Sequence, residues 1–246
     1  MSPAPPVHAN REQEQRRPSP VSVSSDNKGH RGRLRARFLT DEGASMPDYE
    51  LLELLLFTAQ PRGDTKPAAK ALVKRFGNLA GVLSASPREL REIEGIGETA
   101  VVAIKCARAA ALRMAREEIV NRPVLGSWQK VLDYCRAALA HEKTERLHLL
   151  FLDRKNALIA DEAHQRGTVD HTPVYPREVV KRALELEASA IILVHNHPSG
   201  DPTPSRDDVE ITRAIIEAAE PLGVAVHDHL IIGHAAHASL KSMGLI

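Results

Sequence analysis

From Pro47 to about Glu118 the apolar positions recur at helical spacing. Leu51, Leu52, Leu54, Leu55 and Leu56 crowd together after Asp48, and Ala68, Ala71, Leu72 and Phe76 repeat before Gly77. Ser86 and Pro87 read as an N-cap and a first helical residue. They lead Leu90 and Ile93 into a break at Gly95-Ile96-Gly97, after which Ala100 to Met114 is helical again. The pattern predicts a run of short helices ending in a helix, a tight turn and a second helix.

Beyond Pro123 the period changes. One more helix is predicted over about Ser127 to Ala140, then a buried strand from Leu147 to Leu152, a turn at Asp153 to Asn156, and a hairpin partner at Ala157 to Ala160. Pro176 opens a helix through Leu186, Ala190 to His195 is an apolar strand, Ser205 to Ala219 is helical, and Val224 to Ile232 is a strand. Helices mixed with strands predict an α+β or mixed α/β fold. Residues 1 to about 30 show no such period: Pro3, Pro5, Pro6, Pro18 and Pro20 lie among Ser, Gln and Arg, so a disordered tail is expected. It runs into Arg31, Arg33, Arg35 and Arg37, read as a solvated basic stretch. The expected organisation is therefore a basic tail (1–30), a small all-α domain (31–122) and a mixed-sheet domain (123–246).

With 43% hydrophobic and 26% charged residues, the composition supports buried cores and excludes a wholly disordered chain. A formal charge of +1 supplies no global field toward nucleic acid. Cys106 and Cys135 stand far apart without a CxxC pair, which argues against a disulfide framework or zinc ribbon and fits a reducing cytoplasm. No apolar run approaches the ~20 residues of a membrane span, and the amino terminus lacks a signal-peptide core, so no membrane partner is expected.

The richest chemistry lies in His195-Asn196-His197-Pro198-Ser199-Gly200-Asp201-Pro202-Thr203-Pro204-Ser205-Arg206-Asp207-Asp208. Residues two apart on an extended segment point the same way, so His195 and His197 can offer imidazoles to one ion. The Gly and Pro residues that follow force a turn that can return Asp208, in the first turn of the next helix. Two nitrogens and one oxygen leave a fourth tetrahedral position for water, as catalytic zinc sites do. Ser205 with Asp208 is also a helix-capping pattern, which needs no metal. His227 and His229 form a second HxH without a following acid at matching spacing. No HExxH helix and no HxE with PCxxC is present, which excludes thermolysin-like proteases and nucleic-acid deaminases.

His195, His197, Pro198, Ser205 and Asp208 reproduce the HxHPx6SxxD signature of the JAMM metallopeptidases. With Pro176-Arg177-Glu178, Gly167-Thr168, the HNHPSGDPTPS run, Asp228-His229 and Gly95-Ile96-Gly97, the chain resembles the RadC family from about residue 29 onward. The resemblance implies a cytidine-deaminase-like JAMM/MPN fold, its mixed sheet flanked by helices, behind a helix-hairpin-helix-like domain. It also implies one zinc ion on His195, His197 and Asp208, acting on an amide of a peptide or protein, with Ser205 bonding the oxyanion. A glutamate near a strand start would be the general base. Glu145, just ahead of the Leu147 strand, is selected over Glu162 and Glu178, and for Asp228-His229 a role either behind the metal ligands or in packing is expected.

Gly95-Ile96-Gly97 resembles a hairpin whose glycines let backbone amides approach phosphate, with Lys105, Arg108 and Arg113 nearby to add contacts. This implies double-stranded DNA as a partner, and a repair or recombination accessory as the alternative function. Against it, residues 46–122 hold 12 Lys and Arg against 10 Asp and Glu, and Glu94 and Glu98 flank the turn. Packing of two helices explains the hairpin equally well.

Overall fold

The computed structural model describes residues 24–166 and 174–246. Its amino-terminal part is built from α1 (Ser24–Asp41), α2 (Asp48–Ala59), α3 (Lys66–Phe76), α4 (Leu79–Ser84), α5 (Pro87–Arg91) and α6 (Glu98–Glu117). The caps explain why these helices stay short. Asn78 accepts from the Gly81 amide at the start of α4, and Ser86 with Glu89 closes a reciprocal capping box on α5. Gly95, at φ +82°, then makes a turn that a side chain would resist, and Gly97 is the N-cap of α6. Leu52, Leu56, Leu72, Leu90 and Ile104 interlock in one buried cluster. Burying each contributes on the order of 1.5–3 kcal/mol.

The tail expectation needs correcting at its end. Residues 1–23 lie outside the described set, but α1 already runs from Ser24. The basic stretch is helical, so its every-second-residue arginines fan around the helix instead of forming one solvated edge. Arg31 falls on the packed side with Leu34. It is buried and donates to the carbonyls of Gln60, Pro61 and Gly63 at 2.8–3.0 Å, its guanidinium over the Phe57 ring.

The carboxy-terminal part comprises α7 (Trp128–Leu139), β1 (Arg146–Leu152), β2 (Leu158–Arg166), α8 (Pro176–Glu185), β3 (Ala190–Asn196), α9 (Arg206–Ala219), β4 (Ala225–Ile232) and β5 (His237–Ser239). The sheet order is β2-β1-β3-β4-β5. Among the described strands the β3–β4 pair is parallel, with α9 as its crossover, and the other strand pairs are antiparallel. The fold is thus mixed α/β, a helical part followed by a five-stranded mixed sheet, as the sequence pattern predicts. β2 extends past the expected Ala160, and β5 was not anticipated.

Alternation along the strands divides the core. Leu150, Leu152, Ile192, Val194, Leu230 and Ile232 pack under α7, whereas Leu149, Phe151, Ile191 and Leu193 pack under α8 and α9. Continuing that parity puts His195 on the α9 face and Asn196 on the α7 face. In β4 the register against β3 slips by one residue between Ile191 and Ile192, opposite Val226 and Asp228. A one-residue slip exchanges faces. The bulge at His227 therefore turns His229 toward α9. No helix among the described residues is long and apolar enough to cross a membrane.

Candidate metal centre

His195 is the penultimate residue of β3 and His197 follows the strand's end, so both imidazoles stand over the first turn of α9. Pro198 to Pro204 reverse the chain. Gly200, at φ +84°, sits where an added Cβ would meet the His234 ring at 2.3 Å, so only glycine fits this turn. The Gly200 amide donates to the His197 carbonyl at 2.9 Å, and Asp201 ties the loop through Thr203. Asp208 is thereby brought back to the histidines.

Three side chains converge. Nε2 of His195 lies 3.0 Å from Nε2 of His197 and 3.3 Å from Oδ1 of Asp208, and His197 Nε2 lies 3.5 Å from Asp208 Oδ2. Among the described residues this is the group of His, Cys, Asp and Glu whose ligand atoms all fall within 4.8 Å of one another. A tetrahedral ion with bonds of ~2.0–2.1 Å has donors roughly 3.3 Å apart. The donor set and its spacing fit a divalent ion of the zinc type.

The hydrogen bonds behind the donors choose the tautomers. His197 Nδ1 donates to the Asp201 carbonyl at 2.8 Å, which leaves Nε2 as a lone pair. Thr212, buried on α9 one turn after Asp208, donates its hydroxyl to the Asp208 carbonyl, and its Oγ1 accepts from His229 Nδ1 at 2.6 Å. His229 Nε2 is then an acceptor, filled by His195 Nδ1 at 2.7 Å. Proton positions along this chain run one way and end with the His195 Nε2 lone pair facing the site.

Electrostatics agree. Burial, reinforced by His197, pulls His195 down to about 4, and burial holds His229 well below its ordinary value, so both are neutral near pH 7. His197 runs the other way: Asp208 chiefly raises it toward the imidazolium, whose proton an incoming cation would displace. Burial pushes the Asp208 carboxyl up, but His197, His195 and the Ser205 cap together outweigh it and keep it ionised.

Asp208 serves the cap and the cluster at once. Oδ2 accepts from the Ser205 amide at 2.7 Å and from its hydroxyl at 2.6 Å, while Oδ1 faces His195. The two readings of the Ser205/Asp208 pair do not compete. Glu145 lies directly ahead of β1, half-buried. The register pairing Leu147 with His195, continued two residues outward, sets Glu145 opposite His197, whose imidazolium its charge favours. Glu162 is instead bound at both oxygens by Arg182 at 2.8 and 2.6 Å, and Glu178 is exposed at the start of α8 beside Arg177. His227 does not join His229, because the bulge separates them; it bonds Asn156 at 2.6 Å. Gly167 and Thr168 lie outside the described residues.

Two participants carry weaker sequence signals. Thr212 is four residues past Asp208, the spacing that shares a helix face. Asn196, buried between the histidines, points to the opposite face. Its Oδ1 accepts from the Arg146 amide at 3.0 Å, and its Nδ2 donates to the carbonyls of Glu142 and Thr144 at 3.1 and 3.2 Å. It clamps the segment that carries Glu145.

Of the three cations expected near the hairpin, Arg113 is exposed and the other two turn inward. Lys105 donates to the carbonyls of Leu83 and Ala85, and Arg108 to the Ala138 carbonyl and to Glu142. Gly95 and Gly97 remain exposed at the turn, the Gly95 carbonyl bonded by Gln60.

Comparison with known proteins accords with this geometry. A family model described as the RadC-like JAB domain matches residues 125–245. A UPF0758 protein of Rhodobacter capsulatus is 59% identical over 213 residues, spanning 87% of this chain and all of the relative. The sheet and the His-His-Asp cluster lie within the residues that the family model matches, and with the 59% identical relative this shows that the chain belongs to the RadC family, its carboxy-terminal half a RadC-like JAB domain.

Proposed function

We propose that the chain is a zinc-dependent hydrolase of the JAMM type, acting on an amide bond of a peptide or protein. The observation that carries this reading is the convergence of two imidazoles and a carboxylate, with hydrogen bonds behind both histidines that aim a ring nitrogen of each at one point. His195, His197 and Asp208 would hold the ion. When bound, zinc polarises a carbonyl and brings the pKa of a coordinated water toward ~7. Glu145, opposite His197, accepts a proton from the attacking water and returns it to the departing amine. Ser205 offers its hydroxyl to the developing oxyanion, exchanging its bond to Asp208 for one to substrate. Thr212 and His229 keep His195 in the ligating tautomer, and Asn196 keeps Glu145 at its post.

Mass spectrometry of the purified protein, with His197→Ala and Asp208→Ala variants, tests the centre: one zinc per chain in the wild type and none in either variant is expected. Cleavage of amide substrates should disappear in Glu145→Gln with zinc retained. A wild-type protein that takes up no zinc on reconstitution would overturn the reading.

The alternative, a DNA-associated accessory, is supported by the open backbone at Gly95 and Gly97 and opposed by the inward turn of Lys105 and Arg108. Salt-sensitive duplex binding that vanishes on altering the two glycines is its test.

A further inference from the structure

The α7–β1 segment has two sides. One presents Glu145 to the metal cluster. The other, carrying His141, Glu142, Lys143 and Arg146, forms a wall of a cleft of about 760 Å³ whose facing wall comes from α3, α4 and α5 of the helical part. Pro198, next to His197, lies at its edge. The volume is that of a site for a ligand of several hundred daltons. The cleft therefore opens beside the reacting centre, between the two halves of the molecule.

Its charges are unevenly matched. Lys143 pairs with Glu89 across the cleft, and Arg75 pairs with Glu92. Arg108 and Arg146, however, share the single carboxylate of Glu142, at 2.8 and 2.9 Å. The Nε atoms of both guanidiniums are buried without a hydrogen-bond partner. The Lys105 ammonium, outside the lining, rests on two neutral carbonyls, those of Leu83 and Ala85. The lining thus carries Arg75, Lys143 and Arg146 against Glu89 and Glu142, with Arg108 behind Glu142, a setting in which a carboxylate would be bound. Phe76, Gly81 and Ala85 supply apolar surface alongside.

We propose that this cleft binds the polypeptide flanking the scissile amide, and that Arg146 on its wall, with Arg108 behind it competing for Glu142, selects a carboxylate on it. The inference rests on the hydrolase reading for its orientation toward the metal, and adds the substrate class: an extended peptide bearing an acidic side chain or a terminal carboxylate near the bond that is cut. The helical part is then half of the substrate site.

Binding read without turnover separates this idea from the hydrolase reading. Zinc-loaded, full-length Glu145→Gln protein is titrated by fluorescence polarisation with short labelled peptide pools. One pool is rich in Asp and Glu, its match carries Asn and Gln, and each is made as free acid and as carboxy-terminal amide. The acidic pool should bind about tenfold more tightly than its match. Loss of that preference on amidation alone would identify the terminal carboxylate as the feature read, and its persistence would identify the side chains. Arg146→Met and the more exposed Arg75→Gln should each reduce the preference. Equal binding of acidic and neutral pools, or a preference untouched by both variants, overturns the proposal. So does a single-stranded oligonucleotide that displaces the acidic pool and binds more tightly. Wild-type protein that cuts peptides without acidic preference overturns the cleft proposal and leaves the hydrolase reading standing. Acidic binding with no cleavage by the wild type overturns the hydrolase reading, and with it the orientation toward a scissile bond, and leaves the carboxylate preference of the cleft standing.

Discussion

Thr212→Val tests whether the hydrogen-bond chain behind His195 sets the metal's affinity. The substitution nearly preserves volume at a fully buried position and removes a single hydroxyl. That hydroxyl fills two roles, accepting from His229 Nδ1 at 2.6 Å and donating to the Asp208 carbonyl. Without it, the buried His229 N–H must stay unsatisfied or move to Nε2, and the latter leaves His195 Nδ1–H facing a donor. Either way an orphaned buried group costs about 1–3 kcal/mol. If that cost falls on the metal-bound arrangement, zinc binding weakens between about 5- and 150-fold at 25 °C, which brackets the roughly 10- to 100-fold typical when supporting partners of metal histidines are removed. Competition against a chromophoric chelator measures the affinity, and thermal melts with and without chelator separate it from loss of fold. Zinc affinity within about twofold of wild type in a folded variant would refute the tautomer argument.

Other consequences are equally direct. Asn196→Ala removes three hydrogen bonds from the Glu142 to Arg146 segment, so the Arg146 amide should exchange faster with solvent while zinc content stays at wild-type level; simultaneous loss of zinc would mean that Asn196 supports the ligands instead. Glu89 is lowered from 4.5 to about 2, first by its bond to Lys143, so its pair stabilises the molecule above about pH 4.5 and that contribution drains away as pH falls toward 2. Melts of wild type against Glu89→Gln should therefore converge across that window, and a gap that stays constant with pH would contradict the assignment. Gly200→Ala forces a side chain into φ +84° and against His234, which should cost at least ~1–2 kcal/mol in a denaturant titration and loosen zinc with it. An unchanged midpoint would show that the turn tolerates a side chain.

The elements were legible where one period governs a long segment. Helical spacing located α2, α3 and α6, and apolar runs located β1, β3 and β4, because each buries a continuous stripe. The metal donors were legible because strand alternation and a capped helix are local rules. Less could be read where the outcome depends on partners distant in sequence. Alternating arginines carry no helical signal, so α1 emerged only through Leu34 packing on Met46 and Phe57. The pair His227 and His229 promised one shared direction, and the bulge in β4, set by pairing with β3, withdrew it. Lys105 and Arg108 looked like phosphate contacts, but the sequence did not contain the carbonyls and the carboxylate that hold them inward.

The tripeptide His195-Asn196-His197 shows why the metal cluster and the cleft are linked. Alternation sends the two histidines to the α9 face and the asparagine to the α7 face, so the middle side chain is unable to ligate the ion and is available for another task. It holds the backbone on both sides of Glu145, in the segment that also bears Glu142, Lys143 and Arg146. A displacement of that segment by a peptide in the cleft would thus act on Glu145 and, through Asn196, on the strand that carries both histidines. The physical link is short and rigid: three hydrogen bonds from one buried amide. Peptide binding and metal affinity should accordingly be coupled, each changing the other by the same factor as linkage requires. Zinc affinity measured with and without the acidic peptide pool reads that factor in wild type. In Asn196→Ala it should fall toward one, and a factor unchanged by the substitution would show that the coupling runs by another route.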